Sequence, residues 1–233
     1  MTDDGQVANL IADLDHPDKP TIRAAVDALI AFAPASTDLQ KLLHQRLTED
    51  GHKNYWPVAY ILGHLAQPSA ITIRILIDAL DHREPDIRWA NALLLERIAK
   101  SEGSVITLLI ELCDTGTANQ KRMAIYCLRD LALADSQSLA AIVKSLSDLD
   151  PTVRVAATTS LKSRKDINDI VRRTLLQVYL NDADERVRNA VAVTLASFGS
   201  PAEEFVQALS AVSKSSNAQA KKAAEAALKL LQK

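Results

Sequence analysis

Residues 84–98 read Glu84-Pro85-Asp86-Ile87-Arg88-Trp89-Ala90-Asn91-Ala92-Leu93-Leu94-Leu95-Glu96-Arg97-Ile98. The stretch predicts one helix with a clear start, because Pro85 at the first helical position lacks only an N–H that would have no partner there. Leu95 recurs at steps of 33 or 34 residues, as Leu29, Leu62, Leu128, Leu161, Leu195 and Leu228. A fixed period of roughly 20 to 50 residues indicates a solenoid, in which each unit buries its apolar face against its neighbours.

Each period carries two helical patterns. The sequence therefore predicts an all-α fold, an α-solenoid of about seven helix pairs (an α/α superhelix), as a single array over residues 1–233. The predicted units are about 6–33, 37–66, 70–100, 104–133, 136–163, 167–198 and 201–232. In the repeat over residues 37–66, the period places the second helix over His52–Ala66.

The start of each second helix is also marked by its capping residue. The position eleven residues before the repeated leucine holds mostly residues that cap a helix N-terminus well, with Glu84 the weakest of them. These residues are Asp18, Gly51, Glu84, Thr117, Asp150, Asp184 and Asn217. The agreement between period and cap supports the helix-pair prediction.

Composition restricts the class of function. A net charge of −2 argues against a dedicated nucleic-acid-binding protein. The charge is uneven: residues 1–120 hold 10 Lys and Arg against 17 Asp and Glu, whereas residues 121–233 hold 17 against 12. Two cysteines, a polar N-terminus and no apolar run near the ~18 residues of a membrane span predict a reducing, cytoplasmic setting without a membrane span.

A basic residue recurs seven positions before the leucine, in the first turn of the second helix. It lies near acidic turn residues, so we expect ion pairs and hydrogen bonds between successive turns rather than a binding stripe. These basic residues are Arg88, Lys121, Arg154, Arg188 and Lys221. His16 and His82 share one turn position, which favours repeated turn chemistry over a metal site. No catalytic triad, phosphate loop or zinc spacing is present, so the sequence predicts no catalytic residue, metal or cofactor.

The face of each second helix opposite the core is expected to line a groove. In the second to fourth units this face collects four of the nine aromatic residues, flanked by charge, a pattern typical of binding sites. The candidate partner-binding residues are Trp56, Tyr60, Trp89, Leu93, Glu96, Arg122, Tyr126 and Arg129. Gly63 beside Tyr60 is expected to leave room for an inserted side chain or ring. In the alternative interpretation, Trp56 and Trp89 fill a gap between neighbouring helices.

Two stretches carry a family resemblance: Asp150-Pro151-Thr152-Val153-Arg154-Val155-Ala156-Ala157 and Asp184-Glu185-Arg186-Val187-Arg188-Asn189-Ala190-Val191. They resemble HEAT repeats, and more narrowly the bacterial HEAT-like repeats named after phycobilisome lyases. The resemblance implies a curved right-handed stack whose second helices line the concave side, and a role in protein binding or support of a partner enzyme. The HEAT-repeat deoxyhypusine hydroxylases need His-Glu pairs, and the chain has no His-Glu dipeptide.

The sequence favours a non-catalytic protein-binding scaffold or adaptor that holds a protein partner in the aromatic groove. The alternative is a bilin-lyase-like, pigment-handling protein, in which a tetrapyrrole or a phycobiliprotein occupies the same groove. Arg122 or Arg129 would then bind a propionate. A third hypothesis, nucleic-acid binding as in HEAT-like alkylpurine glycosylases, is disfavoured because the groove aromatics lie in the acidic half of the chain.

Overall fold

The computed structural model describes residues 4–49, 55–132, 135–198, 203–214, 216 and 218–231, and within these ranges no residue lies in a strand. The chain is an all-α solenoid of helix pairs, as predicted. It divides into two compact units, Met1–Val105 and Ile106–Lys233. In the part of the chain that the structure describes, no helix combines the length and the apolarity needed to cross a bilayer.

The first unit contains α1 (Asp4–Asp13), α2 (Lys19–Phe32), α3 (Thr37–Arg46), α4 (Trp56–Gly63), α5 (Ala70–Asp78) and α6 (Pro85–Ala99). Helix α7 (Gly103–Thr115) crosses the division between the units. The second helices of the pairs pack in series, α2 against α4 and α4 against α6. Their repeated leucines, Leu29, Leu62 and Leu95, are fully buried, so the predicted stripe is the core of this unit.

The second unit contains α8 (Ala118–Asp130), α9 (Ser136–Lys144), α10 (Pro151–Leu161), α11 (Asp169–Asn181), α12 (Glu185–Ser197), α13 (Glu203–Val212) and α14 (Ala218–Leu231). Helix α10 packs between α8 and α12. Leu128 and Leu161 are fully buried, and Leu195 is 8% exposed. The predicted repeat boundaries at residues 133, 201 and 232 lie outside the described residues.

The predicted caps set the helix starts. Asp150 accepts a hydrogen bond from the N–H of Thr152 at 2.7 Å, and Asp184 does the same for Arg186 at 2.8 Å. Glu84 makes no side-chain cap bond, as expected for the weakest of the set. The predicted caps Gly51 and Asn217 lie outside the described residues.

The helix α4 starts later than its period predicts. The predicted start was His52, which lies outside the described residues, whereas α4 begins at Trp56. The physical reason is Pro57: a proline inside a helix removes a hydrogen bond and clashes with the preceding turn, but it fits the first turn. Relative to the repeated leucine, α4 therefore begins four residues later than α2 and α6.

Two of the recurring basic residues, Lys121 and Arg154, join successive turns, which confirms their structural interpretation, whereas Arg88 and Arg188 bond within their own turn. Arg154 forms a two-point ion pair with Asp182, with N–O distances of 2.7 and 2.8 Å, and donates to the carbonyl of Asp148 at 2.8 Å. Arg88 and Arg188 each donate at 2.7 Å to a carbonyl six residues upstream. The recurring basic residues that donate to a carbonyl or carboxylate of a turn are Arg88, Lys121, Arg154 and Arg188.

The two turn histidines share one role. The Nδ1 of His16 accepts from the backbone N–H of Asp18 at 3.0 Å, and the Nδ1 of His82 accepts from that of Glu84 at 3.1 Å. Aspartates at the same repeat position make the equivalent bond in the second unit. Histidine here replaces a carboxylate as a turn acceptor, which confirms the turn interpretation.

Candidate functional site

A pocket of about 270 Å³ opens among the second helices of the first unit, α2, α4 and α6. Its lining combines two aromatic rings, three charged side chains and a small apolar floor. The lining residues are Arg23, Val26, Asp27, Trp56, Tyr60, Asp86, Ile87 and Ala90. The pocket lies on the face that the sequence assigns to a groove.

The aromatic wall comes from the first two turns of α4. Trp56 and Tyr60 are four residues apart, so they lie on one side of the helix, and both are half-buried. The Trp56 ring meets His82 edge-on, with ring centroids 6.0 Å apart, and the Tyr60 ring lies 5.0 Å from His64. Burial raises the pKa of Tyr60, so its phenol is neutral at physiological pH. Each ring of the aromatic wall thus contacts one histidine.

One side of the pocket is closed by a compact charge cluster. Arg23 on α2 pairs with Asp86 on α6, and Lys19 bonds to Asp86 at 2.7 Å and also to Glu84. Arg83 also lies near Glu84, at 3.9 Å, with its side chain 88% exposed. The pairs join the first turns of α2 and α6, which flank α4.

Asp27 differs from the other charged lining residues. Its side chain is exposed, and it makes no hydrogen bond or ion pair with any residue that the structure describes. The charge of Asp27 acts on the aromatic wall. Burial is the largest cause that raises the pKa of Tyr60, the charge of Arg97 lowers this pKa, and the charge of Asp27 raises it. The pocket therefore presents one carboxylate without a neutralising partner.

The outer face of α6 continues the site. Trp89 is 41% exposed and Leu93 is 61% exposed, so neither is a buried gap-filler. Both lie three residues from pocket-lining positions, Asp86 and Ala90, which makes them surface neighbours of the pocket. We call Trp89 and Leu93 the α6 face.

The other predicted site residues have different surroundings. Glu96 is largely covered, with its side chain 16% exposed, and pairs with Lys100 at 2.8 Å. Helix α8 of the second unit carries the remaining three, Arg122, Tyr126 and Arg129. The guanidinium of Arg129 lies 4.9 Å from the centre of the Tyr126 ring and pairs with the adjacent Asp130. The structure thus brings Trp56 and Tyr60 into one pocket and places Trp89 and Leu93 beside it.

Six of the eight pocket residues were not among the sequence candidates, and three of these six are charged. Arg23 and Asp27 occupy the same repeat positions as Trp56 and Tyr60, and that phase was the signal that could have found them. Asp86 joins the site only through its ion pairs with α2. The expectation that Gly63 leaves room for an inserted ring is wrong. A Cβ atom there would lie 2.8 Å from a methyl carbon of Leu94, because core side chains fill the space.

Other chemistry is limited. No group of three or more histidine, cysteine or acidic residues is placed to hold a metal ion among the described residues. Both cysteines are buried, and burial raises the pKa of Cys113 to about 12, so its thiol is protonated at physiological pH. A thiolate nucleophile is therefore not available from Cys113.

Comparison with known proteins finds similarity to helical repeat proteins. The family model of HEAT repeats matches residues 142–229, which lie within the second unit. The chain is similar in fold to importin beta, with a TM-score of 0.52 and 15% identity, covering 94% of this chain and 32% of that one.

Two further structures have lower TM-scores. A designed armadillo repeat protein in complex with the peptide (KR)4 gives 0.44, with 19% identity over 97% of this chain and 99% of that one. Human deoxyhypusine hydroxylase in complex with glycerol gives 0.41, with 14% identity over 98% and 85%. A search of curated proteins finds no match. The narrower resemblance to the phycobilisome-lyase type stays a prediction.

Proposed function

We propose that the chain is a non-catalytic scaffold that binds a segment of another protein through the pocket and the adjoining α6 face. The observation that carries this proposal is the exposure of Trp89 and Leu93, at 41% and 61%, beside a pocket walled by Trp56 and Tyr60. The acidic first unit and the charge at the pocket rim give such a segment a preferred orientation.

The energetic argument follows from burial. Covering apolar surface stabilises a complex by about 25 cal/mol per Å², and tryptophan is enriched among the residues that dominate interfaces. Trp89 and Leu93 are large enough to supply such an anchor. Trp56 and Tyr60 are already half-buried, so they lose less side-chain entropy on binding than free surface rings would.

The pigment hypothesis has less support from this geometry. The pocket volume of about 270 Å³ lies below the roughly 300–1,000 Å³ of small-molecule sites. Of the arginines proposed to bind a propionate, Arg129 is engaged with Asp130 and the Tyr126 ring. We therefore favour a protein segment over a tetrapyrrole.

The test is selection of binders from a displayed random-peptide library on the immobilised chain. We expect wild type to enrich peptides. The double variant Trp89→Ala/Leu93→Ala should bind these peptides at least about tenfold more weakly. Val193→Ala is a matched control, because Val193 occupies the repeat position of Leu93 in the second unit and is 56% exposed. Equal enrichment by wild type and the double variant, with helical circular dichroism intact, would remove the proposal.

A further inference from the structure

We propose that the pocket between α2, α4 and α6 is a subsite for a cationic side chain, arginine in preference to lysine, inserted by the bound segment. This inference rests on the proposed function and adds the chemistry of the anchor residue. The occupant's head group would pair with Asp27 and lie against the rings of Trp56 and Tyr60.

Charge is the first argument. Of the three charged residues in the lining, Arg23 and Asp86 pair with each other, and Lys19 pairs with both Asp86 and Glu84. Asp27 is left as a carboxylate with no ion-pair partner among the described residues. A cation entering the pocket therefore gains an ion pair without displacing one, whereas an anion meets the uncompensated carboxylate.

A further cation near the aromatic wall is also engaged. Arg97, whose charge acts on Tyr60 and His64, donates at 3.0 Å to the carbonyl of Gly63 and lies 3.2 Å from the Nδ1 of His64. It is thus held at the C-terminal end of α4, where carbonyl groups and the helix dipole stabilise a positive charge. Asp27 remains available to an incoming group.

The aromatic wall supplies the second argument. A cation over the face of tryptophan or tyrosine is attracted by the ring electrons, and a guanidinium also stacks flat on such a ring. The Tyr60 hydroxyl makes no hydrogen bond to the residues that the structure describes, so it can accept one from the same head group. Arginine matches this set better than lysine, because its planar fork serves a carboxylate and a hydroxyl at once.

The volume of the pocket and the negative charge of the surrounding unit both agree with an arginine side chain. A volume of about 270 Å³ suits one long side chain. The surrounding first unit holds 15 Asp and Glu against 10 Lys and Arg over residues 1–105, so a cationic segment is also attracted at long range. The pocket residue Asp27 is exposed, so a side chain can reach it from solvent.

The test uses N-acetyl-arginine amide, with N-acetyl-citrulline amide as the neutral isostere. In the Trp89→Phe background, Trp56 is the only remaining tryptophan, and its fluorescence reports on the pocket. We expect the arginine amide to change Trp56 fluorescence saturably and the citrulline amide to bind at least about tenfold more weakly. Asp27→Asn should weaken arginine binding by a similar factor and Asp27→Glu should retain it. Asp38→Asn, an exposed carboxylate on α3 outside the pocket, is the matched control.

Equal binding of the two amides, or an unchanged affinity in Asp27→Asn, would overturn the inference. The selected peptides give an independent reading: a required arginine whose replacement by citrulline costs about tenfold supports it, and no cationic requirement counts against it. Peptides that depend on Trp89 but not on Asp27 would contradict the arginine subsite and leave the proposed function standing. Arginine-amide binding without peptide enrichment would support the subsite and contradict the proposed function.

Discussion

Asn91 places an amide in the core of α6. It is fully buried, and its Nδ2 donates to the carbonyl of Ile87 at 2.8 Å, but its Oδ1 has no hydrogen-bond partner among the described residues. A buried acceptor without a partner costs about 1–3 kcal/mol. Equivalent positions in the other repeats hold only alanine or valine. The repeat pattern alone therefore marks Asn91 as a departure, and the structure shows which of its atoms lacks a partner.

We therefore expect Asn91→Val to raise the free energy of unfolding by about 1 kcal/mol, because valine nearly fills the same volume without the unpaired oxygen. Urea denaturation followed by circular dichroism measures the change. Asn91→Asp, which places a carboxylate in the same space, should instead destabilise the chain. A loss of stability in Asn91→Val would show that the amide is satisfied in solution.

His82 makes stability depend on pH. Burial lowers its pKa, and its Nδ1 must be unprotonated to accept from the N–H of Glu84. The unfolded chain therefore binds a proton at higher pH than the folded chain, so this contribution is complete above the ordinary histidine pKa of about 6.5 and is lost as pH falls below it.

In His82→Asp, a carboxylate takes the acceptor role that Asp148 and Asp182 have in the second unit. We expect this variant to lose less stability than wild type between about pH 7 and about pH 5, because its acceptor keeps its form over that range. Urea midpoints at several pH values test this, and His82→Asn should behave alike. Parallel pH profiles for wild type and both variants would contradict the assignment.

At the scale of the element, the ion pair between turns in the second unit is largely buried, so the loss of one partner is expected to be costly. The side chains of Arg154 and Asp182 are 15% and 6% exposed, respectively. Removing one partner of a buried pair typically costs about 3–5 kcal/mol, whereas exposed pairs contribute about 0–1 kcal/mol.

Arg154→Met keeps the apolar stem but removes the pair, and we expect it to lower the free energy of unfolding by about 3 kcal/mol. Arg186→Met is the control, because Arg186 pairs with Asp184 while its side chain is 67% exposed, and it should cost less than about 1 kcal/mol. Thermal and urea unfolding of the two variants give the comparison. Equal losses would mean that burial does not set the strength of these pairs.

The same helices show what sequence predicts at this scale. Starts such as Pro151 and Glu185 were predicted correctly because caps and proline act locally, within one turn. The start of α4 was wrong because the repeat period was followed through Pro57, although proline excludes that position from a helix interior. Where a local rule and a long-range period conflict, the local steric rule decides the helix start.

At the scale of the whole molecule, periodicity predicts equivalence but not pairing. It placed Trp56 and Tyr60 on one face, because both positions lie at fixed distances before the repeated leucine. It did not predict that Lys19 and Arg23 reach Glu84 and Asp86, 63 to 67 residues away, since such pairs depend on the width of the helix between them. The single array over 1–233 stays a prediction beside the two compact units.

The two units also differ in charge, which predicts the kinetics of binding. Residues 1–105 hold 10 Lys and Arg against 15 Asp and Glu, and residues 106–233 hold 17 against 14. The pocket and the α6 face lie in the acidic unit, so approach of an arginine-bearing segment is accelerated by a field that salt screens over about 10 Å at 0.1 M. We expect the association rate constant of a selected arginine peptide to fall by about tenfold between about 50 and about 500 mM NaCl.

Stopped-flow measurement of Trp56 fluorescence in the Trp89→Phe background gives these rates. Leu93→Ala should raise the dissociation rate constant and leave the salt dependence of association unchanged, because it removes apolar contact and no charge. Changing an acidic residue of the first unit outside the pocket, such as Asp78, to asparagine should reduce the salt dependence without altering dissociation. An association rate that does not respond to salt would mean that the acidic surface has no part in capturing the segment.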